Sequence, residues 1–185
     1  MEIIYLFLII SIILFSNYAT LKIGENHYTT HNKTELFDIF HTILPDLHKY
    51  SNIFNNIVPI LGVISLYFYS NHKLTIEFLS KFVIIMLIRA VTIISTILPK
   101  HEKCDEKIDI TSLVVGGCYD KIFSGHTAFV LLLTLIYYRE HIINVSSLIS
   151  INTLNILLIL ATRSHYTIDV LLSIFVTSTI YNISV

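Results

Sequence analysis

The chain has 185 residues, of which 54% are hydrophobic and 14% are charged. Soluble domains carry roughly 25% charged residues, so this composition indicates a membrane protein of one domain, residues 1–185. A formal net charge of −1 argues against a nucleic-acid partner, and only five glycines argue against fibrous or disordered classes.

Apolar stretches of membrane-spanning length recur along the chain and predict an all-α, polytopic integral membrane protein with six transmembrane helices. At the helical rise these stretches are ~23 to 35 Å long, which brackets a hydrocarbon core of ~30 Å. In chain order they cover residues 3–21, 53–69, 76–98, 124–138, 142–162 and 166–183.

A charged residue precedes the first stretch, and a proline interrupts the second. Glu2 precedes the first stretch, and neither a basic segment nor a small-residue cleavage site accompanies it, so we expect a retained helix rather than a signal peptide. Pro59 interrupts the second stretch, where we expect packed neighbours to satisfy the freed backbone groups.

The polar segments hold candidate metal and disulfide residues. His27 and His31 have the spacing of metal ligands, but no Cys or acidic partner stands at a fixed offset, so we expect surface histidines and no metal. Cys104 and Cys118 share one loop, and both a disulfide and free thiols remain open.

Two polar motifs lead directly into apolar stretches. The first is Cys118-Tyr-Asp-Lys-Ile-Phe-Ser-Gly-His126-Thr, and the second is Arg163-Ser-His165-Tyr-Thr-Ile-Asp169. His165 and Asp169 are four residues apart, which stacks them ~6 Å apart on one face of a helix. The carboxylate can therefore hold an imidazole N–H and select its tautomer.

Two histidines and a carboxylate suit covalent phosphoryl chemistry. One imidazole acts as nucleophile, the other as acid and then base, and the carboxylate orients the nucleophile. Because the predicted chain crosses the membrane twice between His126 and His165, both lie on the same face. We therefore predict His126, His165 and Asp169 as catalytic residues, with the N-termini of their two helices as sites for a phosphate anion.

The ionisable residues that lie well within predicted spans are Arg89 and Asp169. Such residues usually face a polar interior and mark function. Arg89 could hold a lipid phosphate or could neutralise Asp169 as a buried pair, and both alternatives stay open. The predicted substrate-binding residues are Arg89, Asp120, Ser124, Thr167 and Arg163.

These motifs also carry a family resemblance. The pattern C-x-D-x-x-x-S-G-H-T, the later H-Y-T-I-D-V, the block from Arg89 to Pro99 and Leu-Pro-Asp46 together resemble the sphingomyelin synthase family of the lipid phosphatase and phosphotransferase superfamily. The resemblance implies transfer of phosphocholine or phosphoethanolamine from phosphatidylcholine or phosphatidylethanolamine to ceramide. Diacylglycerol is released, and no cofactor is needed.

The sequence departs from the related patterns in places. Tyr119 replaces the Gly common between the Cys and Asp, which leaves the headgroup open. Ile159 stands where lipid phosphate phosphatases have an Arg, and their K-x6-R-P motif is absent, which favours a transferase. A phosphatase or phospholipase C-like hydrolase, and a non-enzymatic lipid binder or channel, are the alternatives.

The orientation signals conflict. Most Lys and Arg residues lie on the predicted histidine face, which by the positive-inside rule would be cytosolic. The resemblance and the sequon at Asn32 favour a lumenal or exoplasmic site in a Golgi, ER or plasma membrane. We follow the resemblance; the oligomeric state stays open, with a homo-oligomer among the alternatives.

Overall fold

A computed structural model describes residues 2–30, 36–99 and 119–183. Within these ranges the regular structure is helical and no strand occurs, so the predicted all-α class is confirmed for this part of the chain. Three predicted features lie outside the described residues: His31, the sequon at Asn32, and the cysteines Cys104 and Cys118.

Short connections precede the helices that begin at His72, Val145 and Thr167. A 3₁₀ turn at His48–Tyr50 leads directly into the third helix. The α-helices of the described residues are α1 (Glu2–Thr30), α2 (Ile39–Ile43), α3 (Ser51–Tyr69), α4 (His72–Ser95), α5 (Gly125–Arg139), α6 (Val145–Ala161) and α7 (Thr167–Asn182).

Within the described part of the chain, three helical segments are long and apolar enough to cross a membrane: Phe7–Asn26, His48–Tyr69 and His72–Ser95. Helices α5, α6 and α7 have 15, 17 and 16 residues. At the helical rise they are ~23 to 26 Å long, shorter than a hydrocarbon core of ~30 Å. The structure therefore supports three spans plus shorter apolar helices, and the count of six remains a prediction.

Local capping explains where several helices differ from their predicted bounds. Asn71 accepts a hydrogen bond from the Leu74 N–H at 3.0 Å, so α4 begins at His72 rather than at residue 76. Asn144 accepts one from the Ser147 N–H at 2.9 Å, so α6 begins at Val145 rather than at residue 142. Hydropathy alone does not detect such caps.

Helix α5 lies at the centre of the bundle and packs against α3, α4, α6 and α7. Its buried side chains form one core with residues of α4 and α7, and the burial of this apolar surface stabilises their packing. The core comprises Leu74, Phe78, Ile85, Phe123, Ala128, Leu132, Leu133, Ile136, Tyr137 and Ile180.

A glycine lets α3 approach α5 closely. A Cβ built on Gly62 would lie 2.1 Å from Cε1 of Phe129, so no larger residue fits while that ring keeps its place. The Phe129 ring packs edge-on against Phe78 and Phe82 of α4. This contact packs the middle of α3 against α5, and nearer its start Asn55 lies beside the first turn of α5.

Candidate active site

The start of α7 carries a buried histidine and carboxylate pair. Arg163, with φ 58, turns the chain out of α6, and His165 follows directly before the N-cap residue Tyr166. Asp169 Oδ2 accepts from His165 Nδ1 and from the Tyr166 N–H, each at 3.0 Å. An ionised carboxylate only accepts, so Nδ1 carries the hydrogen and Nε2 keeps its lone pair.

The second histidine lies in the first turn of α5. Ser124 caps this helix by accepting from the Thr127 N–H at 3.2 Å and from its hydroxyl at 3.0 Å. His126 Nε2 bonds the backbone carbonyl of Asn55 at 2.9 Å. Asn55 also contacts Ser164, the residue before His165, so the two histidines approach the same residue of α3.

Two contacts hold the starts of α5 and α7 together, and a third joins the loop before α7 to α3. The Ser124 N–H donates to the Asp169 carbonyl at 3.3 Å, and the Lys121 ammonium donates to the carbonyl of Ser164. The Ser164 hydroxyl also donates to Asn55 Oδ1 at 3.3 Å. Both histidines therefore lie at the same end of the bundle, as the chain order predicts.

Arg89 is 3% exposed and lies beside this end of the bundle. Its guanidinium forms an ion pair with Asp120 and donates from Nη1 to Asn17 Oδ1 at 2.8 Å. The sequence left open a pair with Asp169, but the partner is Asp120. Arg89 Nε is buried without a hydrogen-bond partner among the described residues, and a Cβ on Gly125 would lie 3.5 Å from it.

Thr167 and Arg163, both predicted to bind substrate, are engaged by the protein itself. The Thr167 N–H and hydroxyl donate to the two oxygens of Asp38, at 2.6 and 2.8 Å. The Arg163 guanidinium donates to three backbone carbonyls, of Leu160 at 3.0 Å, His41 at 2.7 Å and Leu44 at 2.8 Å. The predicted anion site at the start of α7 therefore holds two carboxylates of the chain.

The segment around α2 fastens the histidine loop from outside. Beyond the Asp38 contact, His41 Nε2 bonds the His165 carbonyl at 3.0 Å, and its ring stacks on Tyr166 with centroids 5.3 Å apart. Burial would raise the pKa of Asp38, but hydrogen bonds from Thr167 and His41 outweigh it, so the pKa lies below the ordinary 3.8.

Sequence reasoning missed four residues that build this end of the molecule. Asp38 has a recognisable signal, because an Asp before the apolar run that forms α2 is a typical N-cap. Asn17 was detectable as a polar residue within an apolar stretch. Asn55 binds His126 through its own backbone carbonyl, and Lys121 donates to the backbone carbonyl of Ser164. No sequence pattern reveals contacts of this kind.

Comparison with known proteins yields two similarities. Residues 117–185 match the family described as PAP2 superfamily C-terminal. The chain is 29% identical over 124 residues to a phosphatidylinositol:ceramide inositolphosphotransferase of Trypanosoma cruzi (strain CL Brener). That match covers 57% of this chain and 37% of the relative, so the chain spans well under two thirds of the relative's length. No solved structure matches the chain.

Both similarities support the lipid phosphatase and phosphotransferase superfamily, and with it a phosphate-group transferase or hydrolase. The family match includes both histidines and Asp169. Neither similarity separates the sphingomyelin synthase branch from its neighbours, so the particular donor and acceptor belong to the proposal that follows.

Proposed function

We propose that the protein transfers a phospho-headgroup from a glycerophospholipid to ceramide, giving a sphingophospholipid and diacylglycerol. The observation that carries the proposal is the His165 and Asp169 pair at the same end of the bundle as His126, with Asn55 bonded both to His126 and to Ser164 beside His165. The donor headgroup is phosphocholine or phosphoethanolamine by the motif resemblance. The relative is named for phosphatidylinositol, which adds phosphoinositol as a third candidate.

In the first half-reaction, Nε2 of His165 attacks the phosphorus of the donor lipid. The bond from phosphorus to the diacylglycerol oxygen breaks, and protonated His126 gives its proton to that oxygen. Asp169 accepts from Nδ1 of His165 throughout, which stabilises the positive ring as the phosphorus–nitrogen bond forms. The headgroup then remains on His165 as a phosphohistidine.

In the second half-reaction, neutral His126 takes the proton from a ceramide hydroxyl. The hydroxyl oxygen attacks the phosphohistidine, the phosphorus–nitrogen bond breaks, and His165 leaves as a neutral imidazole. One phosphodiester replaces another, so the products and substrates are close in free energy. Transfer prevails over hydrolysis when ceramide reaches the intermediate before water does.

The start of α5 is the part of the site best suited to hold the phosphodiester. Its unpaired N–H groups and positive dipole end attract an anion, and the buried Arg89 Nε faces the same turn at Gly125. Ser124 lies at the cap of this helix and can add its hydroxyl hydrogen. Asp120 supports the site by orienting Arg89, whereas Thr167 and Arg163 support it by fixing the loop around His165.

A glycine substitution tests this phosphate site without a steric penalty. In Gly125→Ala the new methyl group would make ordinary van der Waals contact with Arg89 Nε at 3.5 Å and would cover it. We expect a raised KM for the donor lipid with an unchanged thermal midpoint. An unchanged KM in the folded variant would remove Arg89 Nε from the phosphate site.

The decisive experiment follows lipids in nanodiscs that contain the purified protein. Labelled phosphatidylcholine, phosphatidylethanolamine or phosphatidylinositol is supplied with and without ceramide, and products are identified by mass spectrometry. We expect a ceramide-dependent product with at least one donor, lost in His165→Ala and His126→Ala and retained in His72→Ala, which changes an exposed residue at the other end of the bundle.

Two outcomes would reject the transferase. Diacylglycerol formed at the same rate without ceramide would identify a hydrolase with water as acceptor. Lipid binding without any product in the wild-type protein, unchanged in the two active-site histidine variants, would instead identify a lipid binder. A lumenal or exoplasmic position of the site is tested separately, by glycosylation mapping at Asn32.

A further inference from the structure

The carbonyl that holds His126 is available because of a proline one turn further along α3. In an α-helix the carbonyl of residue i accepts from the N–H of residue i+4. For Asn55 that residue is Pro59, which lies inside α3 and has no N–H. The freed carbonyl accepts from His126 Nε2 at 2.9 Å, across 71 residues of chain.

This bond selects one tautomer of the His126 ring. A carbonyl oxygen only accepts hydrogen bonds, so Nε2 of His126 must carry the hydrogen that joins them. In the neutral ring the lone pair then lies on Nδ1. His165 has the opposite arrangement, because its Nδ1 donates to Asp169 and its lone pair lies on Nε2.

We propose that Pro59 and the Asn55 carbonyl are positioning groups that hold His126 as the Nε2–H tautomer, so that Nδ1 exchanges the substrate proton. The catalytic part of this inference rests on the proposed function. In the first half-reaction the Nδ1 hydrogen of protonated His126 goes to the diacylglycerol oxygen. In the second, Nδ1 takes the ceramide hydroxyl proton, while Nε2 stays bonded to Asn55 in both.

Asn55 also contacts the loop that carries the other histidine. Its side-chain oxygen accepts from the Ser164 hydroxyl at 3.3 Å, one residue before His165. The same residue of α3 therefore touches His126 through its backbone and the His165 loop through its side chain. Pro59 leaves the backbone carbonyl of Asn55 free to bind His126 and does not affect the contact of the Asn55 side chain with Ser164. The two contacts can therefore be tested separately.

The tautomer is measured directly, by nitrogen NMR of isotope-labelled histidines in nanodiscs, with the His126 signals assigned by loss in His126→Gln. We expect the neutral ring of His126 to show a protonated Nε2 and a bare Nδ1. Asn55→Ala keeps the backbone carbonyl and should keep this pattern. A bare Nε2 in the wild-type protein would overturn the inference.

A matched pair of variants at position 59 isolates the missing N–H. Pro59→Ala supplies an N–H that competes for the Asn55 carbonyl, whereas the α-hydroxy analogue of alanine at the same position supplies none. We expect Pro59→Ala to mix the His126 tautomers and to lower kcat at least about 10-fold with KM nearly unchanged. The hydroxy-acid variant should keep the wild-type tautomer and kcat.

The two proposals fail in different ways. Equal tautomer patterns in the alanine and hydroxy-acid variants would overturn the role of Pro59, whatever the enzyme's products. If wild-type protein forms no lipid product with any donor, the proposed function falls. The NMR comparison then still decides whether the freed carbonyl selects the tautomer.

Discussion

Asp38 and Thr167, 129 residues apart in the chain, form a two-point contact in which both carboxylate oxygens accept from one residue at 2.6 and 2.8 Å. The carboxylate thereby caps α7, the helix that carries Asp169. Since the same α2 segment also bonds the His165 carbonyl through His41, it holds the proposed nucleophile from the outer side.

Removal of this cap is expected to affect both stability and activity. Asp38→Ala leaves the Thr167 N–H without its acceptor and should cost ~1 to 2 kcal/mol in free energy of unfolding. It should also lower lipid transfer, because α7 and His165 lose a common anchor. Asn71→Ala is the matched control, since it removes the cap of α4 at the opposite end of the bundle. If both variants lowered transfer equally, the effect of Asp38 would be on folding alone.

The same contact predicts a pH dependence of stability. The folded pKa of Asp38 lies below the ordinary 3.8, so the unfolded chain takes up the proton first as pH falls. The stabilisation is therefore complete above 3.8 and is lost as pH falls through the lower folded value. Thermal midpoints of the wild type and Asp38→Asn should differ at neutral pH and converge below 3.8. A constant difference in acid would contradict this.

Asp169→Asn tests the orientation of the nucleophile. The neutral amide cannot stabilise a positive His165 ring, and it can present an N–H where Nδ1 needs an acceptor. We expect kcat to fall about 10³-fold, with little headgroup trapped on His165 in rapid-quench labelling. Ser173→Ala is the control, because its hydroxyl donates to the Asp169 backbone carbonyl at 2.7 Å and leaves the carboxylate untouched. Equal kcat losses in the two variants would argue against a specific role for the carboxylate.

Variants of the Arg89 and Asp120 pair distinguish a role in stability from a role in catalysis. Both side chains are 4% exposed, so Asp120→Ala leaves a buried cation and should cost ~3 to 5 kcal/mol. Replacing both residues by Met and Leu should recover most of that stability without restoring transfer. Recovered transfer in this double variant would show that Arg89 serves only the fold.

The close approach of α3 to α5 predicts the effect of Gly62→Ala. The new Cβ would meet the Phe129 ring at 2.1 Å, and Phe78 and Phe82 block the ring's retreat. We expect a loss of ~1 to 3 kcal/mol, partly recovered when Phe129→Leu is added. Gly125→Ala, where the added atom has ordinary contact distance, should leave the midpoint unchanged. Similar losses at both glycines would point to chain flexibility rather than packing.

Features that depend on near neighbours in the chain were accessible from the sequence. The helical class follows from hydropathy. The spacing of four also predicted the contact of His165 with Asp169, but His165 lies one residue before the N-cap Tyr166, so the two side chains meet at the start of α7 and not on one face of it. Helix bounds were less accurate, since Asn71 and Asn144 caps moved two of the starts. The six-span count depended on those bounds and did not gain support.

Contacts between distant segments were not predictable from the sequence and became visible only in the packed helices. Asp120 rather than Asp169 pairs with Arg89, and a backbone carbonyl of Asn55 holds His126, because helix packing decides which polar groups meet. Hydropathy and spacing describe each segment in isolation, and a buried polar group takes whichever partner the neighbouring helix brings within hydrogen-bond distance. The residues of the site were therefore recognisable in the chain, whereas their partners and usable ring nitrogens were decided by tertiary packing.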